Sequence, residues 1–328
     1  MSAFSRPSVF LIAIFTLCSG GCATRSQPDP AYYDIANGAL PLPNLIVEIP
    51  GLGPCTDNPD RRLRLNSTQP VNVLVHGCFG SSGEFRGLAQ VLAFQGQQAA
   101  CFTYDDRAEL GESASALRKA LNQLAEQSKL PKITLIGHSQ GALIARRSMT
   151  VFDAPMPSTR LDLVTISGPL GGINAAKPCG YDWMHLLSLG LTKASCHIIT
   201  GPKWANITYS SRFIREPGSL ASGVDRYLKI DTDERGSCRR RENDRCIKSD
   251  LIFSLDEQHH PFIDDDPHTR KVQVAAGHVE IVGDKRIAPV KLLDVFQQEG
   301  ILRRITDERQ AAYRALLARI YQDESLRQ

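Results

Sequence analysis

Net charge is nearly absent from this 328-residue chain: 38 Lys and Arg stand against 35 Asp and Glu, leaving +3. That balance lacks the basic excess of a nucleic-acid binder, so no nucleic-acid partner is expected. No Cys-x2-Cys pair occurs among the nine cysteines, which argues against a zinc site. Neither metal nor cofactor is expected. Long apolar runs are missing too: Val9–Leu17 is nine residues, too short to span a bilayer. Gly at 25 and Pro at 19 are ordinary and exclude collagen-like or low-complexity chains. What is present is 42% hydrophobic content, enough at this length to bury roughly three-quarters of the unfolded surface. One large domain or two small ones would fit.

The N-terminus reads as a targeting segment. Arg6 precedes the Val9–Leu17 run, and Ser19-Gly20-Gly21 supplies small residues before Cys22. This arrangement resembles a bacterial lipoprotein signal, which implies removal of residues 1–21 and lipidation of Cys22. Ala23, rather than Asp, after that cysteine resembles lipoproteins sorted to the outer membrane. A cell-envelope location with a membrane anchor is therefore expected. Export would leave seven cysteines in an oxidising compartment, simplest as three disulfides and one free thiol. Cys238 and Cys246 bracket a short polar loop, and Cys179 and Cys196 bracket another irregular stretch. Among Cys55, Cys78 and Cys101 no pair stands out.

Residues 22–60 read as a tether and irregular segment rich in Pro, Gly, Asn and Asp. From position 61 to 300 the pattern is that of a domain. Val71–Val75, Ala99–Tyr104, Ile133–Ile136 and Leu161–Ile166 are apolar from end to end, and Ile207–Tyr209 and Val272–Ala275 read as further strands. Helical spacing fills 83–96, 113–128 and the stretch from Ser139 to about Thr150. Uniformly apolar strands alternating with helices predict an α/β fold with a mostly parallel sheet covered on both faces. Two stretches break the rhythm, 173–204 and 212–249, and read as excursions: a possible cap and a disulfide-stapled insertion. Residues 301–328 carry a helical stripe, Tyr313, Leu316, Leu317 and Ile320, expected to dock on the domain.

Gly137-His-Ser139-Gln-Gly141 follows a predicted buried strand and opens a predicted helix. A Gly-x-Ser-x-Gly pattern is weak alone, but in that context it reads as a nucleophile elbow, whose strained turn needs small neighbours. Together with Val73-Leu-Val-His-Gly-Cys-Phe-Gly80, it resembles the α/β-hydrolase family, specifically lipase-like members, over roughly residues 70 to 300. The resemblance implies a doubly wound sheet with a cap-like insertion and Ser139 as nucleophile. It also implies an oxyanion hole from backbone N–H groups of Gln140 and of the Cys78-Phe79 stretch, with His76 shaping the loop.

Eight histidines compete for the base. His278 follows the Val272–Ala275 strand and precedes the last helical segment, which satisfies the family's order of Ser, acid, His. The acid is less determined. Asp250 opens Asp-Leu-Ile-Phe-Ser and resembles the turn where lipase-like enzymes keep it, yet about forty residues separate it from Ile207–Tyr209, after which the acid usually comes at once. Glu216, Asp225 and Asp256 remain rivals. Arg239-Arg240-Arg241 reads as a solvated loop, with anionic lipid headgroups the rarer alternative. Asp264-Asp265-Asp266 with His268 lacks the alternating spacing of a calcium loop.

The expected function is hydrolysis of a carboxylic ester, tilted toward lipid or acyl esters by the anchor and by the apolar stretch Trp183–Leu191. A thioesterase or acyltransferase using the same triad stays open, as does a non-catalytic envelope lipoprotein on the same scaffold.

Overall fold

The computed structural model describes residues 40–150, 159–174, 203–243 and 245–323. The expected signal segment, Cys22, Cys179, Cys196 and most of the 173–204 stretch lie outside the described residues.

Eleven strands are described. They are β1 (Leu45–Val47), β2 (Leu52–Gly53), β3 (Leu63–Leu65), β4 (Val71–Val75), β5 (Gln98–Phe102), β6 (Lys132–His138), β7 (Arg160–Ile166), β8 (Val224–Asp233), β9 (Cys238–Glu242), β10 (Arg245–Ser249) and β11 (Thr269–Ala275). Seven of them form one sheet in the order β11-β8-β7-β6-β4-β5-β2. All neighbours pair in parallel except β2, which runs antiparallel to β5 at the edge. The two-stranded pairs β1-β3 and β9-β10 stand apart from it.

The helices are α1 (Arg86–Phe94), α2 (Leu110–Ser128), α3 (Gln140–Ser148), the single turns α4 (Lys203–Asn206), α5 (Arg212–Arg215), α6 (Leu255–Gln258) and α7 (Pro261–Asp264), then α8 (Val290–Gln298) and α9 (Asp307–Tyr321). Side chains alternate across the sheet, as pleating requires. Val71, Val73, Ile133, Leu135, Leu161 and Leu163 face a core shared with α2 and α3, while Leu74, Ile136, Val164 and Ile166 face one shared with α1, α8 and α9. Covering both faces buries every residue of β4 and every residue of β6 after Lys132. In α9, Tyr313, Leu316, Leu317 and Tyr321 are buried and Ile320 packs beside them. No helix among the described residues is long and apolar enough to cross a membrane.

One expected strand is wrong. Ile207–Tyr209 is a turn following α4, its Ile207 N–H bonded to Lys203 O. The strand beside β7 is instead β8, inside the stretch expected to be an excursion. The charges in its sequence, Val-Asp-Arg-Tyr-Leu-Lys-Ile-Asp-Thr-Asp, suggest a solvated loop, but they are paired within the fold. Lys229 is 1% exposed and bonds Asp264 at 2.9 Å and Asp231 at 2.5 Å. The same pairing takes Asp264 out of any cation site, and Asp266 is on His268 at 3.0 Å.

Among the described residues two disulfides close the structure: Cys238–Cys246 staples β9 to β10, and Cys55–Cys101 ties the chain after β2 to β5. The second pairing follows from register, since Gly53 lies opposite Cys101. Cys78 is a free thiol.

Candidate active site

The parallel strands deliver their C-terminal ends to one rim. There Ser139 sits between β6 and α3 at φ 57° and ψ −125°, a conformation that costs a non-glycine residue about 1–3 kcal/mol. Its surroundings enforce it. Ser139 N–H bonds Ile166 O at 3.0 Å, tying the turn to β7. A Cβ at Gly137 would lie 2.3 Å from Gly141 O, and one at Gly141 would lie 2.2 Å from Val75 O. Only glycine lets α3 fold back this tightly on the sheet.

His278 reaches the same rim from the loop after β11. Its carbonyl accepts from His138 Nε2 at 3.0 Å, and the two rings lie 4.7 Å apart, so it rests on the residue preceding Ser139. Burial, with the neighbouring His278 second, holds His138 well below the ordinary histidine range, so it stays neutral. Phe253 meets the His278 ring edge-on at 4.8 Å.

The carboxylate on the His278 ring is Glu234, the residue that directly follows β8. Glu234 Oε1 lies 2.9 Å from Nδ1. Since a carboxylate accepts, Nδ1 carries the proton and Nε2 keeps its lone pair. Ser167, in the left-handed region at φ 46°, places its hydroxyl 2.9 Å from Nδ1 and donates to Oε1 at 2.9 Å. Thr232 stands behind it, its hydroxyl 2.7 Å from Ser167 Oγ. Oε2 accepts from the N–H groups of Ile252 (2.5 Å) and Phe253 (2.8 Å). Burial pushes the Glu234 carboxyl up, but the His278 hydrogen bond, the electrostatic attraction of its ring and those two N–H groups more than reverse it. The group lies below its ordinary value and is ionised.

Asp250, expected at this place, is elsewhere. Its carboxylate accepts from the N–H groups of Val279 and Glu280, both at 3.0 Å, and its carbonyl accepts from His278 N–H at 3.0 Å. It therefore holds the backbone around the histidine and does not touch the ring. The rivals are also accounted for: Glu216 pairs with Arg212 at 2.7 Å, Asp225 with Arg160 at 2.8 Å, and Asp256 is exposed in the first turn of α6. Sequence reasoning missed Glu234 because it missed β8. The rule that the acid comes at once after the strand beside β7 points to Glu234 once that strand is known.

The oxyanion side differs from expectation at one residue. Phe79, at φ 59°, donates its N–H to Asp106 Oδ2 at 2.6 Å, so that donor is occupied. The N–H groups of Cys78 and Gln140 have no acceptor among the described residues; Gln140 opens α3, where helical N–H groups are unpaired and carry partial positive charge. Lys203, 1% exposed, reaches Asp106 O at 2.5 Å and Cys78 Sγ at 2.9 Å, and Gln140 Nε2 donates to Asp106 O at 3.0 Å. Burial raises the Cys78 thiol above its ordinary value, so it is protonated. His76 is held below its ordinary value by burial and stacks on Tyr104 at 4.4 Å, whose hydroxyl donates to His76 O. The His-Gly loop lies against Ser139: a Cβ at Gly77 would be 3.4 Å from its Oγ.

Among the described residues, Ser139 Oγ and His278 Nε2 make no hydrogen bond, either with each other or with a third group. No group of three His, Cys, Asp or Glu among those residues is placed to hold a metal.

A model of the alpha/beta hydrolase fold matches residues 70–158 of the chain. No curated protein matches it. Solved structures similar to it include inhibited esterase B from Lactobacillus rhamnosis, at 14% identity and TM-score 0.46 over 85% of this chain and 94% of that one. The mature lipase BlEst2 of Bacillus licheniformis is similar at 14% and 0.46, covering 78% of this chain and 98% of that one. A propionate-bound esterase from Thermogutta terrifontis gives 14% and 0.46, covering 78% and 90%. Strand order β2-β5-β4-β6-β7-β8-β11, the Ser139 elbow after β6 and the family match over 70–158 establish that the chain has the α/β-hydrolase fold.

Proposed function

We propose that this protein is a serine hydrolase of carboxylic esters. Ser139 Oγ attacks the ester carbonyl while His278 Nε2 takes its proton. The resulting imidazolium hands that proton to the leaving alkoxide, and water, activated by the same nitrogen, releases the acyl group from Ser139. Glu234 fixes the Nδ1–H tautomer and stabilises the imidazolium. Cys78 and Gln140 offer N–H groups to the oxygen that turns negative, each such donor worth about 3 kcal/mol in comparable sites. The Asp106–Lys203 bridge keeps the Cys78-Phe79 loop in place.

The observation that carries this reading is the ionised, buried Glu234 on Nδ1 of a histidine packed against the residue that precedes Ser139. A scaffold used only for binding has no need of a buried charge on one specific ring nitrogen. A lipid or long-chain acyl ester as substrate is supported by the apolar 183–191 stretch and by Phe79, 77% exposed on the oxyanion loop. Acylation of Cys22 would hold the enzyme on the cell envelope.

Nitrophenyl esters of rising chain length test the reading. Wild type should hydrolyse them in detergent, with rates rising toward long acyl chains, and Ser139→Ala should not. A maximum at short chains removes the lipid substrate and leaves an esterase. No turnover by wild type on any of them, with transfer to thiol or alcohol acceptors also absent, overturns the enzyme.

A further inference from the structure

The chain is nearly neutral, but its charge is not evenly spread. Positions 238–249 hold Arg239, Arg240, Arg241, Arg245 and Lys248 against Glu242 and Asp244, which is +3, the whole formal excess of the protein. This segment is the β9-β10 hairpin. It pairs with no other described strand, and almost every described residue in it is exposed.

Its register is unfavourable in isolation. Lys248 lies directly opposite Arg240, and like charges at opposed positions destabilise an antiparallel pair. Some charge is relieved internally: Arg240 reaches Glu242 at 3.3 Å on the same strand, Arg239 reaches Asp284 at 3.6 Å, and Arg241 is also partnered. Arg245 and Lys248 have no ion pair among the described residues. The Cys238–Cys246 disulfide holds the pairing that the charges oppose.

The hairpin is also placed with care. It springs from Glu234, whose carbonyl accepts from Ser237 N–H at 3.1 Å, and it returns at Asp250, whose N–H donates to Ser237 O at 3.4 Å. Both roots touch the His278 region, so the hairpin stands on the rim of the candidate active site. Beside the basic residues are three exposed apolar ones, Ile247 (41%), Leu251 (48%) and Ile252 (54%). A crowded basic ribbon edged with exposed aliphatics matches a surface that is anionic outside and apolar beneath.

We propose that the β9-β10 hairpin docks the rim of the site onto lipid surfaces bearing anionic headgroups. The headgroups neutralise the opposed Arg240 and Lys248, and Ile247, Leu251 and Ile252 enter the acyl boundary. A dispersed lipid substrate or a bilayer would present the same chemistry.

The test is sedimentation of the full chain carrying Cys22→Ser, so that no acyl group at position 22 contributes, with vesicles of pure phosphatidylcholine or of phosphatidylcholine containing a quarter phosphatidylglycerol. Binding should be at least about tenfold tighter to the anionic vesicles and should weaken as salt rises. Arg240→Glu with Lys248→Glu should lower it by about 25-fold or more, since each basic residue near such a surface contributes roughly fivefold. Arg240→Gln with Lys248→Gln should give a smaller loss in the same direction and serves if the charge reversal does not fold. Leu251→Ser should weaken binding to both vesicle types. All variants should keep wild-type rates on a soluble short-chain ester, so vesicle binding and the hydrolase reading can fail separately. Equal binding to both vesicle types, or undiminished binding by the Arg240 and Lys248 variants, overturns the proposal. A soluble polyanion bound as tightly as the vesicles, with no effect of Leu251→Ser, assigns the hairpin to acidic polymers and also overturns it.

Discussion

The segment after β8 and the segment after β10 each bring a buried carboxylate to His278, and the two acids meet opposite parts of it. Glu234, 1% exposed, accepts from the ring and from Ser167; Asp250, 3% exposed, accepts from the backbone of the loop that carries the ring. Burial and charge are alike, so the different roles come from where each strand ends. β8 lies in the main sheet between β7 and β11, and its C-terminal end points at the space between Ser167 and His278. β10 belongs to a detached hairpin, and the residue after it can reach only the far side of the same loop. An acid is chosen by the strand that delivers it.

That contrast can be broken by substitution, beginning with the largest effect. Glu234→Gln keeps the shape and removes the charge; kcat on nitrophenyl esters should fall about ten-thousand-fold, as wrong-tautomer variants do. Asp250→Asn should leave kcat within about tenfold but lower stability by about 2 kcal/mol in urea unfolding, because two half-buried N–H groups lose a charged acceptor. Reversed outcomes would exchange the two roles. Ser167→Ala, which removes one hydrogen bond from Glu234, should lower kcat roughly tenfold with little change in KM.

A smaller effect concerns pH. Glu234 lies below its ordinary 4.5 in the folded protein, so its ionised form contributes stability that is present above that value and is lost as pH falls through the lower, folded value. Acid titration of unfolding should be flatter between 4.5 and that lower value for Glu234→Gln than for wild type. Equal slopes would mean that Glu234 is not held ionised by His278 and the Ile252 and Phe253 amides.

Much of the fold was legible. Apolar runs at β4, β6 and β7 reveal strands buried on both faces, and Gly137 and Gly141 mark a turn too tight for any Cβ. The rim position of His278 was legible because it lies in the loop just after β11. The acid was hidden by β8, where Lys229 and Asp231 mimic a solvated loop while pairing inside the fold with each other and with Asp264. The occupied Phe79 N–H was hidden for another reason, since its acceptor Asp106 lies 27 residues away on the loop after β5. The Cys55–Cys101 bridge depends on the register of the two-residue strand β2, which leaves no periodic trace. Pairings that neutralise buried charge across the fold are invisible to patterns read along the chain.

The central claim is that Glu234 and His278 activate Ser139. Mass spectrometry of the protein treated with a fluorophosphonate probe measures this without any choice of substrate. Wild type should carry one adduct on Ser139, Asp250→Asn should form it at nearly the same rate, and Glu234→Gln should form it at least about a hundredfold more slowly. An unmodified Ser139 in wild type, or full-speed labelling of Glu234→Gln beside a silent Asp250→Asn, would contradict it.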